Sequence, residues 1–357
     1  MPVAVEPYQT THIPAVAAFN ERLVSGGGDP AFCFPSSPEP DWLPPKPGAT
    51  LWQELFIAAD GPSIRGGYVL KHQMFQLDGV SQSVGYYHGP ISEGIVNRSH
   101  AMVGVHLLRD AIRRQPLLYA LGMGGLDRPL PRMLASLKWQ ITLVPFYFRI
   151  LRARRALHHL RAVRSTTLRR WALDLAAYSG LGAAGASLLQ RSLLRADYRT
   201  ADSFSAEATE LWERAKGAYS FCAVRDAATL NTLYPATDKR FHRVSLTSGW
   251  AVVLCTQMHE DKYFGSLRLG SIIDTFALPG QEAAVIGAAS RHLDALGADL
   301  VVSNQSHAGW QAAMTRNGYR SGPSNFLFAA SPALASKLGE KDRIHLLRGD
   351  GDGPIHL

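Results

Sequence analysis

The run Ser83-VGYYHGPISEGIVNRSHAMVGVHLL-Arg109 decides the fold class, because it joins a strand pattern to a helix pattern through a short polar loop. Residues 83–92 are aromatic and β-branched, and the Asp78-Gly79 turn before them predicts an antiparallel hairpin with residues 66–77. From about residue 97 the apolar positions follow a helical period that ends at Pro116. The run therefore predicts strand, loop and helix in that order.

Outward from this run, the first 150 residues read as strand, helix, three strands, helix, strand, helix and strand. Residues 201–335 repeat the same order, which indicates an internal duplication. We therefore predict an α/β (α+β) chain with two domains, each a mixed, mostly antiparallel sheet flanked by helices. The predicted ranges are an N-terminal domain at 1–150, a basic helical linker at 151–200, a C-terminal domain at 201–338 and a flexible tail at 339–357.

The composition is that of a globular protein, with 46% hydrophobic residues and three widely spaced cysteines that form no CxxC pair. A cytoplasmic location is the expectation, because the start of the sequence lacks a basic region followed by an apolar stretch. No HExxH, P-loop, GxSxG or paired metal-ligand spacing is present, so no metal site is predicted.

Positive charge is concentrated in residues 146–200, which hold eleven arginines against Asp174 and Asp197. Arginines at residues 149–170 could meet the phosphates of tRNA or an anionic membrane surface at the inner face, and a solvated helical linker explains them equally well. The following run at 171–189 has the length of a membrane span. Its aspartate, glycines and polar side chains indicate small-residue helices instead.

The element order and the run Val96-NRSHAMVGVHLL-Arg109 resemble the GNAT acyltransferase fold, present twice. In that family a Q/R-x-x-G-x-G/A loop opens a helix whose backbone N–H groups hold the pyrophosphate of acyl-coenzyme A (acyl-CoA). Gly104 matches the second glycine, whereas Ser99 and Met102 replace the first motif residues, and Arg98 lies one residue out of register. The resemblance implies acetyl-CoA or a longer acyl-CoA as co-substrate, bound by Arg98, Val103, Gly104 and Val105.

The second half departs further from the family, because its loop Leu278-PGQEAAVIGAA has no phosphate-binding pattern. The run Ser303-NQSHAGWQAAMTRNGY resembles a later family region, with Met314 where a tyrosine acid often stands. In the first half that run is Asp127-RPLPRMLASLKW, with Leu134 at the tyrosine position. Neither half offers the family's usual general acid.

Acyl transfer to an amine requires a base beside the strand that separates near the coenzyme. His88 and Glu93 are the predicted catalytic residues of the first half. Either could instead be structural, His88 as a hydrogen-bonded strand residue and Glu93 as a helix cap. The predicted substrate-binding residues, with a buried structural role as the alternative for several, are Tyr86, Tyr87, Asp127, Asp274, Asn304, His307 and Trp310.

The leading hypothesis is a cytoplasmic N-acyltransferase that passes an acyl group directly to a small-molecule, glycan-linked or lipid-linked amine. A second resemblance, through Arg225-DAATLNTLYP, is to FemABX and BioF2-like transferases of cell-envelope or polysaccharide assembly. The incomplete motifs leave a third alternative, a non-catalytic GNAT-derived binding protein.

Overall fold

The protein is described here as a computed structural model, which describes residues 3–40, 42–45, 50–153, 155–156, 193–261 and 264–351 of the 357. The chain divides into two compact units. Unit 1 comprises Met1–Leu143 and Leu327–Leu338, and unit 2 comprises Val144–Phe326 and Gly339–Leu357. Most of the predicted linker, 157–192, lies outside the described residues.

Unit 1 consists of one sheet with helices packed on it. Its strands are β1 Ala4–Pro7, β2 Leu51–Asp60, β3 Ser63–Leu77, β4 Val80–Ser92, β5 Leu118–Leu121, β6 Gln140–Leu143 and, from near the end of the chain, β15 Leu327–Ala330. Its helices are α1 Ile13–Ser25, α2 Val103–Arg114, α3 Pro129–Ser136 and α8 Pro332–Ala335, with 3-10 turns at Thr10–His12, Glu93–Ile95 and Arg98–His100.

Unit 2 has a second sheet of the same kind. Its strands are β7 Phe146–Ile150, β8 Arg199–Ala201, β10 His242–Leu246, β11 Gly249–Gln257, β12 Arg268–Ala277, β13 Leu300–Asn304 and β14 Arg320–Gly322. Two short strands of unit 2, β9 Phe221–Ala223 and β16 Ile344–His345, pair in parallel with each other and are not part of this sheet. Its helices are α4 Ala206–Ala215, α5 Ala227–Leu233, α6 Glu282–Ala295 and α7 Ala308–Arg316, with 3-10 turns at Lys216–Ala218, Lys341–Arg343 and Arg348–Asp350.

The predicted hairpin is confirmed, since β3 and β4 pair antiparallel and meet at Leu77 and Val80. Asp78 and Gly79 have φ angles of 42° and 89°, and positive φ at both central residues gives the twist that a two-residue hairpin turn needs. The mixed, mostly antiparallel character of both sheets is also confirmed.

The strand order of the two sheets corresponds position by position. Unit 1 runs β1-β2-β3-β4-β5-β15-β6. Written in the corresponding direction, unit 2 runs β8-β10-β11-β12-β13-β7-β14. In each sheet one parallel pair, β4 with β5 or β12 with β13, is followed by an antiparallel strand and a short edge strand.

The antiparallel strand after each parallel pair comes from the other half of the sequence. Residues 146–150, expected to close the first domain, form β7 of unit 2, and residues 327–330 form β15 of unit 1. The compact units therefore differ from the ranges 1–150 and 201–338 at these two strands. Both are short apolar runs, and such a pattern specifies a buried strand without specifying which sheet it joins.

The core of unit 1 lies on both faces of its sheet. Beneath α2 and α3 it includes Tyr68, Tyr87, Leu107, Leu118 and Leu134, and beneath α1 it includes Val16, Phe19, Leu23, Ile57 and Val69. Within the first cluster, Tyr68 Oη donates to Asp110 Oδ2 at 2.7 Å. This burial fixes α2 against β3 and β4, and so fixes where α2 begins.

Candidate functional site

The parallel pair β4 and β5 is registered over only two residue pairs, Gly85 with Leu118 and Tyr86 with Tyr119. β4 continues to Ser92 and β5 to Leu121 without further pairing between them. We call the gap between residues 87–92 of β4 and 120–121 of β5 the first cleft.

A β-bulge lies on β4 beside the first cleft. Val69 of β3 faces His88, and Gly67 faces Ile91, so Gly89 and Pro90 together oppose Tyr68. Gly89 has a φ of 52°, a conformation that favours glycine. A bulge interrupts the strand ladder and redirects backbone and side chains, which is why bulges are frequent beside active sites.

Tyr86 and His88 form a polar pair at the inner end of the first cleft. Tyr86 Oη lies 3.3 Å from the Leu121 carbonyl oxygen and 3.3 Å from His88 Nδ1. A carbonyl oxygen can only accept, so Tyr86 Oη donates its proton in the contact with Leu121. With the phenol proton directed there, the contact with His88 has Nδ1–H as donor and the phenol oxygen as acceptor, which is the tautomer that leaves the imidazole lone pair on Nε2.

Helix α2 begins close to the end of β4. A Cβ added at Gly104 would lie 3.7 Å from Ser92 Oγ and 3.8 Å from Met133 Sδ, in ordinary van der Waals contact with both side chains. The first turn, Val103 to Val105, carries no acidic side chain, and Arg98 nearby is exposed. Val103 is itself a core residue, so only its backbone can contact a ligand.

Glu93 directly follows the last residue of β4, where it is 5% exposed and paired with Arg22 and Arg65, each 3.1 Å from Oε2. Burial alone raises the pKa of a carboxyl group, but hydrogen bonds from Arg22 and Arg65 outweigh burial here and hold the pKa of Glu93 below its usual value. A carboxylate held ionised by two guanidinium groups is a weak base. Glu93 therefore orders the loop that leads to α2.

Tyr86 and Tyr87 point to opposite faces of β4, as strand geometry predicts. The Tyr87 ring packs against Tyr68 in the core beneath α2, with ring centroids 5.2 Å apart. Asp127 is exposed in the loop that follows β5.

The second parallel pair, β12 and β13, is registered over three residue pairs and then separates in the same way. β12 also carries a bulge, at Ile273, between the pairs Val253 with Ile272 and Val252 with Asp274. The gap between residues 272–277 of β12 and the end of β13 at Asn304 corresponds to the first cleft. We call it the second cleft.

Residues 344–351 of the same unit occupy the second cleft. On the β12 side, His345 Nε2 lies 2.8 Å from the Thr275 carbonyl oxygen, and a Cβ at Gly349 would lie 3.1 Å from the Ile273 carbonyl oxygen. On the β13 side, Arg348 Nε donates to Asn304 Oδ1 at 3.0 Å. Residues 344–351 of the predicted flexible tail are thus part of the unit 2 core, because Leu346 and Leu347 are fully buried.

A buried ion-pair network holds this C-terminal segment in place. Arg225 is 1% exposed, and its guanidinium donates to Asp274 Oδ1 at 2.9 Å and to Asp350 Oδ1 at 2.8 Å. Tyr234 Oη donates to Asp274 Oδ2 at 2.8 Å, and the Leu347 N–H donates to Asp350 Oδ2 at 2.9 Å. Asp274 is therefore a structural ion-pair partner here, the alternative that its sequence context left open.

The remaining predicted substrate residues of unit 2 also lie in its core. Asn304 is bonded to Arg348, and Trp310 is completely buried with Nε1 3.3 Å from Tyr219 Oη. His307 caps α7 by accepting from the Gly309 N–H, and burial lowers its pKa to about 4. His88 belongs to unit 1, whereas these three residues belong to unit 2.

Within residues 149–170, the arginines that the structure describes have partners within unit 2. Arg149 is buried and donates to the Asn317 carbonyl, while Arg152 donates to the Ala298 carbonyl. Arg155 lies 3.9 Å from Asp299. Arg154 and residues 157–170 lie outside the described residues, so most of the predicted tRNA or membrane surface does too.

Within the described ranges, no group of three or more His, Cys, Asp or Glu side chains could hold a metal ion. No helix among those residues is long and apolar enough to cross a membrane.

Sequence reasoning missed the Arg225–Asp350 pair and the stacking of Tyr86 on Tyr119, whose ring centroids lie 5.1 Å apart. The first contact spans 125 residues, and no local pattern marks it. A signal for the bulge was present, since a Gly-Pro pair inside a strand pattern marks an irregularity in the ladder.

No protein-family model and no curated protein matches the sequence. Solved structures do. Saccharomyces cerevisiae N-myristoyltransferase with bound myristoyl-CoA aligns at a TM-score of 0.52 and 10% identity, over 100% of this chain and 86% of that chain. An Enterococcus faecalis V583 protein, described as a conserved protein of unknown function and probable N-acyltransferase, aligns at 0.51 and 8%, over 96% and 75%.

Eis1 from Mycobacterium abscessus matches at a TM-score of 0.43 and 14% identity, over 84% of this chain and 64% of the Eis1 chain, too distant to carry an argument. At the identities of the other two structures the likeness shows the fold alone. The chain has the tandem GNAT fold that its sequence predicted.

Replacing Arg225 with methionine should lower the free energy of unfolding by about 3–5 kcal/mol, because it leaves two carboxylates buried without a counter-charge. Urea denaturation followed by circular dichroism measures this change. The matched control is Arg240→Met, which breaks a pair with Asp238 at an exposed arginine and should cost less than about 1 kcal/mol. An equal loss of unfolding free energy in the two variants would contradict a stabilising role of the buried Arg225 ion pairs.

Proposed function

We propose that this chain is an N-acyltransferase that uses an acyl-CoA, and that the reaction takes place at the first cleft. The observation that carries the proposal is the difference between the two clefts. The first is flanked by a polar Tyr86–His88 pair and by a helix start with no acid. The second is occupied by residues 344–351, and α6 beside it begins with Glu282.

The acyl-CoA phosphates would be held at the start of α2. The first N–H groups of a helix have no acceptor within the helix, and the helix dipole makes this end positive. The Val105 N–H already bonds the Met102 carbonyl at 3.1 Å, so Val103 and Gly104 supply the donors and Val105 lines the turn. Arg98 adds an exposed positive charge. The acyl-CoA contributes the acyl group activated as a thioester.

His88 is the residue assigned to proton transfer. In the tautomer with the ring proton on Nδ1, the imidazole lone pair on Nε2 takes a proton from the ammonium group of the acceptor. The resulting neutral amine attacks the thioester carbonyl, the C–S bond breaks, and CoA leaves as the thiolate, which the imidazolium can protonate. Tyr86 is a positioning residue in this assignment, because it acts by orienting the ring of His88. Glu93 is proposed to act through loop order rather than as a second base.

Backbone donors at the bulge provide the means to polarise a carbonyl. Where the strand ladder is interrupted at Gly89 and Pro90, the N–H of Gly89 is the donor available, since proline has none. A fixed donor directed at a developing oxyanion stabilises the transition state by about 3 kcal/mol. Together with His88, it accounts for direct attack of an amine without a covalent enzyme intermediate.

The acceptor is proposed to be a primary amine that enters beside Tyr86 and the exposed Asp127. A carboxylate at that position attracts an ammonium group before it is deprotonated. Asp274, Asn304, His307 and Trp310 are not used in this proposal, because they pack in unit 2.

Titration with acetyl-CoA and palmitoyl-CoA should show one binding site per chain. Gly104→Glu should weaken the affinity at least tenfold, because it adds a negative charge to the helix end that would meet the phosphates. Isothermal titration calorimetry measures both values. The control Gln281→Glu places an acid at the corresponding helix start of unit 2 and should change nothing. Binding that survives Gly104→Glu, or two equivalents per chain, would count against the site.

His88→Gln should lower kcat for amine acylation by about 10²–10⁴-fold while leaving the acyl-CoA affinity unchanged, as expected for loss of general-base catalysis. Tyr86→Phe should cause a smaller loss, since the base remains but its orientation is less fixed. Release of the CoA thiol with a panel of primary amines measures turnover. His106→Gln, on the exposed side of α2, is the control. Full turnover by His88→Gln would remove the base assignment.

A further inference from the structure

Three large apolar side chains are exposed in the segments that follow the carboxyl ends of β4 and β5 in unit 1. Ile95 and Met102 follow β4 and are 56% and 57% exposed, and Leu126 follows β5 and is 64% exposed. Exposing large apolar side chains together costs free energy in water, and clusters of them commonly mark contact surfaces.

These three residues follow strands that end on the same side of the unit 1 sheet. The carboxyl ends of the parallel strands β4 and β5 meet the same edge of the sheet. A Cβ at Gly94, next to Ile95, would lie 2.7 Å from the His100 carbonyl oxygen, so the turn after β4 packs against the approach to α2. Met133 of α3, which follows the Leu126 loop, lies beside Gly104.

The charges around these apolar residues are mainly positive. Arg98 and Arg128 are exposed in the two connections 93–102 and 122–128, and Arg132 is exposed in α3, which follows the second of them. Asp127 is the one exposed acid in these connections, since Glu93 is buried and paired. We call Ile95, Arg98, Met102, Leu126, Arg128 and Arg132 together the mouth surface.

We propose that the mouth surface docks onto an anionic lipid bilayer. Exposed apolar side chains enter the boundary between headgroups and acyl chains, while arginines between them meet headgroup phosphates. RNA would also attract the arginines, but it offers nothing for isolated aliphatic side chains, so the combination favours lipid. Docking would turn the open end of the first cleft toward the bilayer, where a lipid-borne amine or a long acyl chain is reached. The proposal does not depend on the acyltransferase activity.

The test is sedimentation of the full-length protein with vesicles of phosphatidylcholine alone or mixed with phosphatidylglycerol. Binding should require the anionic lipid. Arg128→Gln/Arg132→Gln should weaken it about 30-fold, since each basic residue near an anionic surface strengthens binding about fivefold. Ile95→Ser/Leu126→Ser should weaken it at least tenfold, and this loss should persist at high salt, where charge is screened.

The matched control is Ile13→Ser/Val80→Ser, because both residues are exposed and apolar, at the start of α1 and at the β3–β4 turn. It should bind vesicles as the unchanged protein does. Circular dichroism melting of all variants checks that they are folded. No sedimentation with anionic vesicles would overturn the proposal, as would binding that all mouth variants retain. Binding lost on Arg152→Glu/Arg155→Glu alone, or binding of tRNA without vesicles, would equally overturn it.

Discussion

The structure depends on a parallel strand pair that is hydrogen-bonded over two residues and then separates. Gly85 and Tyr86 of β4 pair with β5, and beyond them each strand must satisfy its polar backbone groups elsewhere. Where the strands separate, β4 forms the bulge at Gly89, and the Tyr86 hydroxyl donates to the Leu121 carbonyl of β5 in place of a backbone donor. The α2 helix start, fixed by core packing beneath it, completes the same end of unit 1. The proposed reaction uses the groups beside this separation, which are the Tyr86–His88 pair, the bulge at Gly89 and the start of α2.

Unit 2 meets the same constraint in a different way. Its separated strands bond to residues 344–351, and Arg225 neutralises the two carboxylates that this arrangement buries. The desolvation cost of three buried charges is offset only while all partners stay together, so the segment is held as one unit. The duplicated fold thus presents one cleft beside a helix start with no acid and one closed by its own chain. This asymmetry is the basis for assigning the reaction to unit 1.

Much of the fold could be predicted from local pattern. The Asp78-Gly79 turn, the strand after it and the helix expected from about residue 97 each carry a periodic or turn signal. Each is present, although α2 begins only at Val103, after a 3-10 turn at Arg98–His100. The exchange of β7 and β15 could not be predicted, because a short apolar strand fits either sheet. At the site, the Tyr86 and Tyr87 faces followed from strand alternation. The burial of Trp310 and Asp274 could not be predicted in this way, because it depends on contacts with residues 344–351, which are distant from both in the sequence.

Hydrogen–deuterium exchange with and without saturating acetyl-CoA tests the central claim most directly. When acetyl-CoA binds, we expect slower amide exchange at residues 85–92, beside the first cleft, and at residues 103–106, at the start of α2. We expect unchanged exchange at residues 268–277 and 300–304, where the C-terminal segment already fills the second cleft. Protection confined to unit 2 would contradict the assignment of the acyl-CoA site.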